Sequence, residues 1–370
     1  MKRLSLVAAL AAAMLAVPCL AAEATPDTQP KIQIAILLDT SSSMDGLINQ
    51  TREQLWRIVN TFATAKRDGK RPRLELALYQ YGNQGLSAES GYIQQMVPLT
   101  TDLDKVSEAL FKLSTNGGDE YCGQVIHKAI GQLEWSKNPH DLKLIYIAGN
   151  EPFTQGPVNY KDAVKEAITH GVVVNTIHAG SEQEGVQGMW KDAAKLADGN
   201  FIVIDQNRAV ARIDAPQDKE IAKLNDALNG TYIGYGRQGG EAMARQAAQD
   251  KNAAGMSASS LATRAASKSG GYYDNSGWDI VDAKKKGKAV EKEALPPELQ
   301  KMDEAEREKF VEGKAKERAE IQAKISKLAQ EREQFVQAEM KKKAEAGSKT
   351  MDDALIESAK SQATKQAFSF

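Results

Sequence analysis

The chain has 370 residues, of which 42% are hydrophobic and 26% are charged, enough apolar material for one large or two small globular domains. Its 48 basic and 49 acidic residues leave a formal net charge of −1. Because the charges nearly cancel, the chain has no net positive electrostatic potential that would attract nucleic acid or an anionic membrane. The composition therefore favours a globular protein and argues against recognition through bulk charge.

The first 24 residues are typical of a secretory signal peptide. Lys2 and Arg3 precede an apolar run over residues 4–17, and small residues follow up to Ala24. No later stretch reaches the roughly 18 to 20 consecutive apolar residues of a membrane span. We therefore expect an exported protein, periplasmic or secreted, without a membrane span. After processing it keeps one cysteine, Cys122, which can form no intramolecular disulfide.

Strand patterns alternate with helix patterns from residue 31 to 206. The predicted strands are "IQIAILLD", "RLELALYQYG", "GYIQQMVPL", "LKLIYIAGN", "GVVVNTIHAG" and "GNFIVID". The third is short and suits an antiparallel edge beside the second. Helices between the other strands imply crossover connections, so we predict an α/β fold, a doubly wound, mainly parallel six-stranded sheet covered on both faces.

The character of the sequence changes after residue 206. Residues 207–290 form a mixed region, with helical patterns at 221–228 and 241–268 interrupted by clusters such as "GTYIGYG", to which we assign no chemistry. Residues 291–346 are highly charged and predict a long helix. A last short helix, capped by Thr350, is predicted within residues 350–370.

The long charged helix carries a partial heptad stripe in which Arg332 takes one apolar position. The stripe consists of Ile321, Ile325, Leu328 and Phe335. Two readings stay open. The helix is either solvated and held by its own charge pairs, or it is a coiled coil or helical hairpin that packs on the domain or on a second copy.

Oxygen-bearing side chains follow the first strand, in "KIQIAILLDTSSSMDG". Two further loops, before the helix predicted at 120 and after the strand ending near 149, should reach the same edge of the sheet, where α/β proteins bind ligands. Hard oxygen ligands suit Mg²⁺, Mn²⁺ or Ca²⁺ better than zinc. The three loops together offer Asp39, Ser41, Ser43, Asp119, Glu120, Asn150 and Glu151.

The pattern Asp39-x-Ser41-x-Ser43 resembles the metal-ion-dependent adhesion site (MIDAS) of von Willebrand factor type A (VWA) domains. The order of strands and helices over residues 31–206 is also similar to that of the whole domain. The resemblance implies one divalent cation, Mg²⁺ first and Mn²⁺ or Ca²⁺ next, held by these side chains partly through water. It also implies that an acidic group of a partner, here another envelope protein, completes the coordination. Asp119 and Glu151 are the further candidate ligands.

Two departures from the family pattern concern these further candidates. The family places a threonine after the paired glycines of the second loop, where this chain has Asp119. The third loop carries an aspartate in the family and reads "AGNE" at 148–151 here, so Glu151 would have to serve. A direct carboxylate from Asp119 would neutralise more of the ion's charge and weaken its pull on a partner carboxylate. The loops form either a working site or a degenerate one whose side chains cap helices and bind loop amides.

Enzyme readings find less support in the sequence. A phosphotransferase of the haloacid dehalogenase type would use Asp39 as nucleophile, but it needs an acid where Ser41 stands. A dinucleotide fold would need glycines that "DTSSSM" lacks. Cys122 and His127 lie about 140° apart on a helix and cannot act as a pair. We expect a binding protein that is not an enzyme; the alternative is a structural envelope protein that acts, or self-associates, through its long helix.

Overall fold

A computed structural model describes residues 29–42, 44–204, 213–344 and 351–370 of the chain. Within these residues the strands are β1 (Lys31–Asp39), β2 (Arg73–Tyr81), β3 (Ile93–Thr100), β4 (Leu142–Gly149), β5 (Val173–Ala179) and β6 (Phe201–Ile204). The helices up to the last strand are α1 (Asp45–Phe62), α2 (Leu103–Lys112), α3 (Cys122–Gln132), α4 (Tyr160–Thr169), α5 (Glu182–Gln187) and α6 (Trp190–Leu196).

The later helices are α7 (Asp218–Asn229), α8 (Gly236–Met256), α9 (Ala258–Ser269), α10 (Ile280–Lys285), α11 (Pro297–Gln300), α12 (Glu304–Ala344) and α13 (Met351–Lys365). We call β1–β6 with α1–α6 the sheet domain and residues 213–344 the helical region. Among the described residues, no helix has the length and apolar character needed to cross a bilayer.

The six strands form one sheet in the order β3-β2-β1-β4-β5-β6. Every neighbouring pair is parallel except β2 and β3, which are antiparallel. The predicted α/β fold, with its antiparallel edge, is therefore confirmed. From β1 the chain crosses to β2 on one side, while β4 lies on the other, so the gap beyond the ends of β1 and β4 is where side chains of several loops can meet.

Helices cover both faces of the sheet, which explains the unbroken apolar runs in the central strands. Side chains such as Ile34 face a core built with α1 and α2, whereas Leu37 faces a second core built with α3, α4 and α6. The C-terminal helix α13 belongs to the first of these cores, to which it contributes Leu355, Ala359, Ala363 and Phe368. Thr350, the predicted cap of this helix, lies outside the described residues.

The apolar stripe of α12 packs on short helices of the same chain. Ile321 and Ile325 are buried in a cluster with Ile221 of α7 and Ala265 of α9. Arg332, which interrupts the stripe, is buried and pairs with Asp218 at 2.6 Å. These contacts favour the packed reading of the long helix over the wholly solvated one.

The pattern predicted as one helical stretch over 241–268 forms two helices, α8 and α9. Ser257 lies at the break in an extended conformation, and its hydroxyl accepts a hydrogen bond from the backbone N–H of Ser260 at 2.9 Å. This is a serine N-cap, which starts a new helix instead of continuing the old one.

A buried ion network joins the helical region to the sheet domain. Arg264 of α9, with no exposed surface, donates to Asp104 of α2 and to Asp250 of α8, both at 2.6 Å. Lys268, equally buried, donates to Asp250 at 2.9 Å. We call these four residues the junction network. Its two carboxylates are matched by two cations.

Candidate functional site

Three loops meet at the carboxyl edge of the sheet and are tied together by backbone hydrogen bonds. The N–H of Thr40, just after β1, donates to the carbonyl of Tyr81 at the end of β2 at 2.8 Å. The carbonyl of Thr40 accepts from the N–H of Asn116 at 3.0 Å, and the N–H of Gln84 donates to the carbonyl of Gly117 at 2.8 Å. The first two predicted site loops are therefore held against each other.

Two glycines make room for acidic side chains at this edge. A Cβ on Gly82, whose φ is +77°, would lie 2.8 Å from both Asp39 Oδ1 and Glu120 Cγ. A Cβ on Gly149, at the end of β4, would lie 3.0 Å from Asp39 Oδ2 and 2.6 Å from Tyr81 Oη. Distances below 3.0 Å are essentially never found for a real Cβ, so a larger residue at either position would force the neighbouring acidic or tyrosine side chain to shift.

Asp39 and Ser41 present buried oxygens that lack donors. Asp39 has no exposed surface, and its Oδ1 accepts a hydrogen bond from the N–H of Ser41 at 2.7 Å. Among the described residues, Asp39 Oδ2 and Ser41 Oγ have no hydrogen-bond partner of regular geometry, although Ser41 is only 5% exposed and its hydroxyl lies close enough to the carboxyls of Asp39 and Glu120 to lower their pKa. These two buried oxygens are therefore available to a ligand.

Glu120 brings a second buried carboxyl group to Asp39. It is 4% exposed, and its carboxyl lies within hydrogen-bonding distance of the Asp39 carboxyl. Burial raises the pKa of Asp39, against the opposing effect of that hydrogen bond. Burial and then repulsion from Asp39 raise the pKa of Glu120 further. Within the described residues no basic side chain pairs with either group, so we expect the two carboxyls to share a proton when no cation is bound.

Glu151 and Asp119 lie further out than the buried pair. The exposed Glu151 accepts from Gln155 Nε2 at 3.3 Å, and its charge helps to raise the pKa of both Asp39 and Glu120, so it lies at the rim of the site. Asp119 is exposed and accepts from the Tyr121 hydroxyl at 3.1 Å. As ligands, both stay predictions.

The structure brings Glu120 into the buried position beside Asp39 and leaves its neighbour Asp119 at the surface. Sequence reasoning counted Glu120 among the oxygen donors but did not choose it as a ligand. The reason is local, since the predicted helix began at residue 120, whereas α3 begins at Cys122 and leaves Glu120 in the loop. No pattern in the sequence separates the two adjacent acids. Ser43, the remaining predicted ligand, lies outside the described residues.

Cys122 and His127 do not form a catalytic pair. Burial raises the pKa of the Cys122 thiol well above its ordinary value, and its Sγ lies 3.7 Å from Tyr81 Oη. His127 is exposed and contacts Glu166 at 2.6 Å. A buried protonated thiol without a base is not a nucleophile.

The donor set fits a hard divalent cation. In the part of the chain that the structure describes, no three His, Cys, Asp or Glu side chains form a cluster that would hold a metal. The arrangement found instead combines the carboxyls of Asp39 and Glu120 with the hydroxyl of Ser41. Oxygen donors without nitrogen or sulfur are the ligands that Mg²⁺, Mn²⁺ and Ca²⁺ prefer. The residues present therefore fit the ion that the family resemblance implies.

Comparison with known proteins identifies the domain. The family model of the von Willebrand factor type A domain matches residues 33–209. The chain therefore contains a VWA domain, as the sequence predicted. No match was found among curated proteins.

Similar solved structures are distant. The protein BatB from Bacteroides thetaiotaomicron is 16% identical, covering 47% of this chain and 90% of its own, with a TM-score of 0.36. The SpRpn10 VWA domain is 20% identical, covering 47% and 88%, with a TM-score of 0.35. Proximal thread matrix protein 1 from the mussel byssus, in a structure with a zinc-occupied MIDAS motif, is 12% identical, covering 49% and 43%, with a TM-score of 0.35.

Proposed function

We propose that this chain is an exported VWA-domain protein that binds another protein of the cell envelope through a divalent cation, most simply Mg²⁺, at the carboxyl edge of its sheet. The observation that supports the proposal is the buried group of Asp39, Ser41 and Glu120. Asp39 Oδ2 and Ser41 Oγ lack a regular hydrogen-bond partner, and no basic side chain of the described residues pairs with the two carboxyls. The proposed export depends on the N-terminal sequence.

In this proposal Asp39, Ser41 and Glu120 hold the ion, with Ser43 as the remaining hydroxyl of the motif and Glu151 at the rim. When bound, the ion supplies positive charge and a coordination position open to an oxygen of the partner. The residues themselves orient that position, because Asp39 is fixed by the N–H of Ser41 and the glycine-lined loops leave the carboxyls little freedom. We propose a binding protein and not an enzyme, because VWA domains are generally interaction modules.

The test is capture of envelope proteins by the immobilised full chain, with Mg²⁺ or with a chelator, for the wild type and two variants. Asp39→Ala removes the central carboxyl, and Asp162→Asn, an exposed acid of α4, is the matched control. We expect a specific partner that is captured with Mg²⁺, retained by the control, and lost with chelator and with Asp39→Ala. Capture that is equal for the wild type and both variants, with Mg²⁺ and with chelator alike, would contradict the proposal.

That contrary result would favour the alternative, a structural protein acting through its helical region with a vestigial loop site. The packing of α12 on α7 and α9 supplies a rigid surface for such a role. The two functions are separated by cation dependence, because the contacts of α12 do not involve the site loops.

A further inference from the structure

The charge of the site loops bears on the kind of partner group that the ion can take. Asp39 and Glu120 are both buried at the same place, and the charge of Glu151 reaches them from the rim. No basic side chain pairs with the two buried acids anywhere in the described residues. A divalent cation bound between them is therefore neutralised by the chain itself, and Glu151 makes the surroundings negative.

An ion whose charge is already neutralised attracts a further carboxylate weakly. Electrostatic attraction depends on the net charge of the ion with its ligands, and here that sum is zero before Glu151 is included. An incoming carboxylate would also meet the repulsion of Glu151. A neutral oxygen, such as an amide or hydroxyl, fills a coordination position without that repulsion.

Glu120 is buried and fixed in position by its neighbours, as a metal ligand needs to be, and is not a surface acid. It is 4% exposed, its backbone N–H donates to Gln155 Oε1 at 3.2 Å, and its Cγ fills the space that the missing side chain of Gly82 leaves. Asp119, one residue earlier, is exposed and bound to Tyr121. The adjacent pair thus offers one buried acid and one matched surface acid.

We infer that Glu120 is a second direct carboxylate ligand of the ion, and that the completed site consequently excludes acidic partner groups and takes a neutral oxygen instead. This inference rests on the proposed cation site and specifies its partner. It replaces the partner carboxylate that the family resemblance implies with a carboxylate of the chain itself.

The test is a Mn²⁺ titration of the full chain in sodium chloride and in sodium acetate at equal ionic strength, with free Mn²⁺ read from its electron paramagnetic resonance signal. Acetate is the probe for a partner carboxylate. We expect the wild type to bind one Mn²⁺ with the same affinity in both salts. Glu120→Gln should bind at least about tenfold more weakly in chloride, since it loses a charged ligand. In acetate this variant should regain about threefold, because its ion keeps a positive charge.

Asp162→Asn, at an exposed acid of α4, is the control and should behave as the wild type in both salts. The inference is overturned if Glu120→Gln binds Mn²⁺ as tightly as the wild type, or if acetate tightens binding to the wild type severalfold. Absence of Mn²⁺ binding by the wild type in either salt would instead defeat the proposed cation site, and the inference with it. Thermal unfolding of Glu120→Gln verifies its fold, and Glu120→Ala gives a second variant for the same titration.

Discussion

Two places in this protein bury a pair of carboxyl groups, and they differ in whether basic side chains pair with them. At the junction network, Asp104 and Asp250 are paired with Arg264 and Lys268 at 2.6 to 2.9 Å. At the site loops, Asp39 and Glu120 are as well buried, but no basic side chain among the described residues pairs with them, and the charge of Glu151 lies nearby.

The pKa values follow this difference. At the junction, burial alone would raise the pKa of Asp250, but the charges of Lys268 and Arg264 together lower it. At the site, burial raises the pKa of both carboxyls and no cation compensates. Buried charges are stable in proteins when they are paired or bind a metal. The junction is therefore complete within the chain, whereas the site, in our proposal, takes a cation from solution.

The largest expected effect comes from breaking the complete network. Arg264→Ala leaves Asp104 and Asp250 buried with one cation fewer, which should lower the free energy of unfolding by about 3 to 5 kcal/mol. Chemical denaturation measures this directly. Arg237→Ala, at an exposed position of α8, should change stability by less than about 0.5 kcal/mol. Equal effects of the two substitutions would mean that the junction network does not contribute to stability.

Removal of charge at the site should have the opposite sign. In the presence of a chelator at pH 8, Glu120→Gln keeps the shape of the side chain and removes a buried carboxyl that must hold a proton which the unfolded chain has released. It should therefore stabilise the protein by about 1 to 3 kcal/mol. Denaturation with the wild type and Asp119→Asn beside it measures the difference. A destabilised Glu120→Gln would contradict the proton held by the carboxyl pair.

The pH dependence of stability sharpens the same contrast. Because the pKa of both site carboxyls is raised in the folded, metal-free protein, that state keeps protons which the unfolded chain loses above about pH 4. The contribution of the pair is full below pH 4 and is lost as the pH rises. The stability gained by Glu120→Gln over the wild type should therefore grow from pH 5 to pH 8. A gain that is constant over this range would contradict the shared proton.

The smallest effect is expected at the rim. Glu151 is exposed and bound to Gln155, so Glu151→Gln should change the affinity for Mg²⁺ by no more than about threefold. A competition assay with a fluorescent Mg²⁺ indicator can resolve such a change. A loss as large as that of Asp39→Asn would place Glu151 among the direct ligands.

Local patterns were sufficient to predict the sheet and the edge at which the candidate site loops lie. The apolar run of β1 ending at Asp39 identifies a buried strand and the edge at which ligands collect, and the structure confirms the six strands with their antiparallel edge. Asp39 and Ser41 lie where the motif predicts, because their positions follow from the end of one strand.

Other features depend on contacts between distant segments, which no local pattern contains. The place of α13 in the core of the sheet domain is one example. It depends on bonds such as that from Gln362 Nε2 to Asn175 Oδ1 at 2.7 Å, between residues 187 positions apart. A fragment that ends near residue 206 would lack this helix and its part of the core, so the experiments use the full chain. The choice of Glu120 over Asp119 likewise depends on the path of a loop around Gly82.

The most direct test of the unmatched carboxyl pair is a calorimetric titration of the chelator-treated full chain with Mg²⁺, followed by Mn²⁺ and Ca²⁺. We expect saturable binding at one site and a higher unfolding temperature with the ion. Both should be lost in Asp39→Asn and kept in Asp162→Asn. No heat and no change in the unfolding temperature with any of the three ions would contradict it.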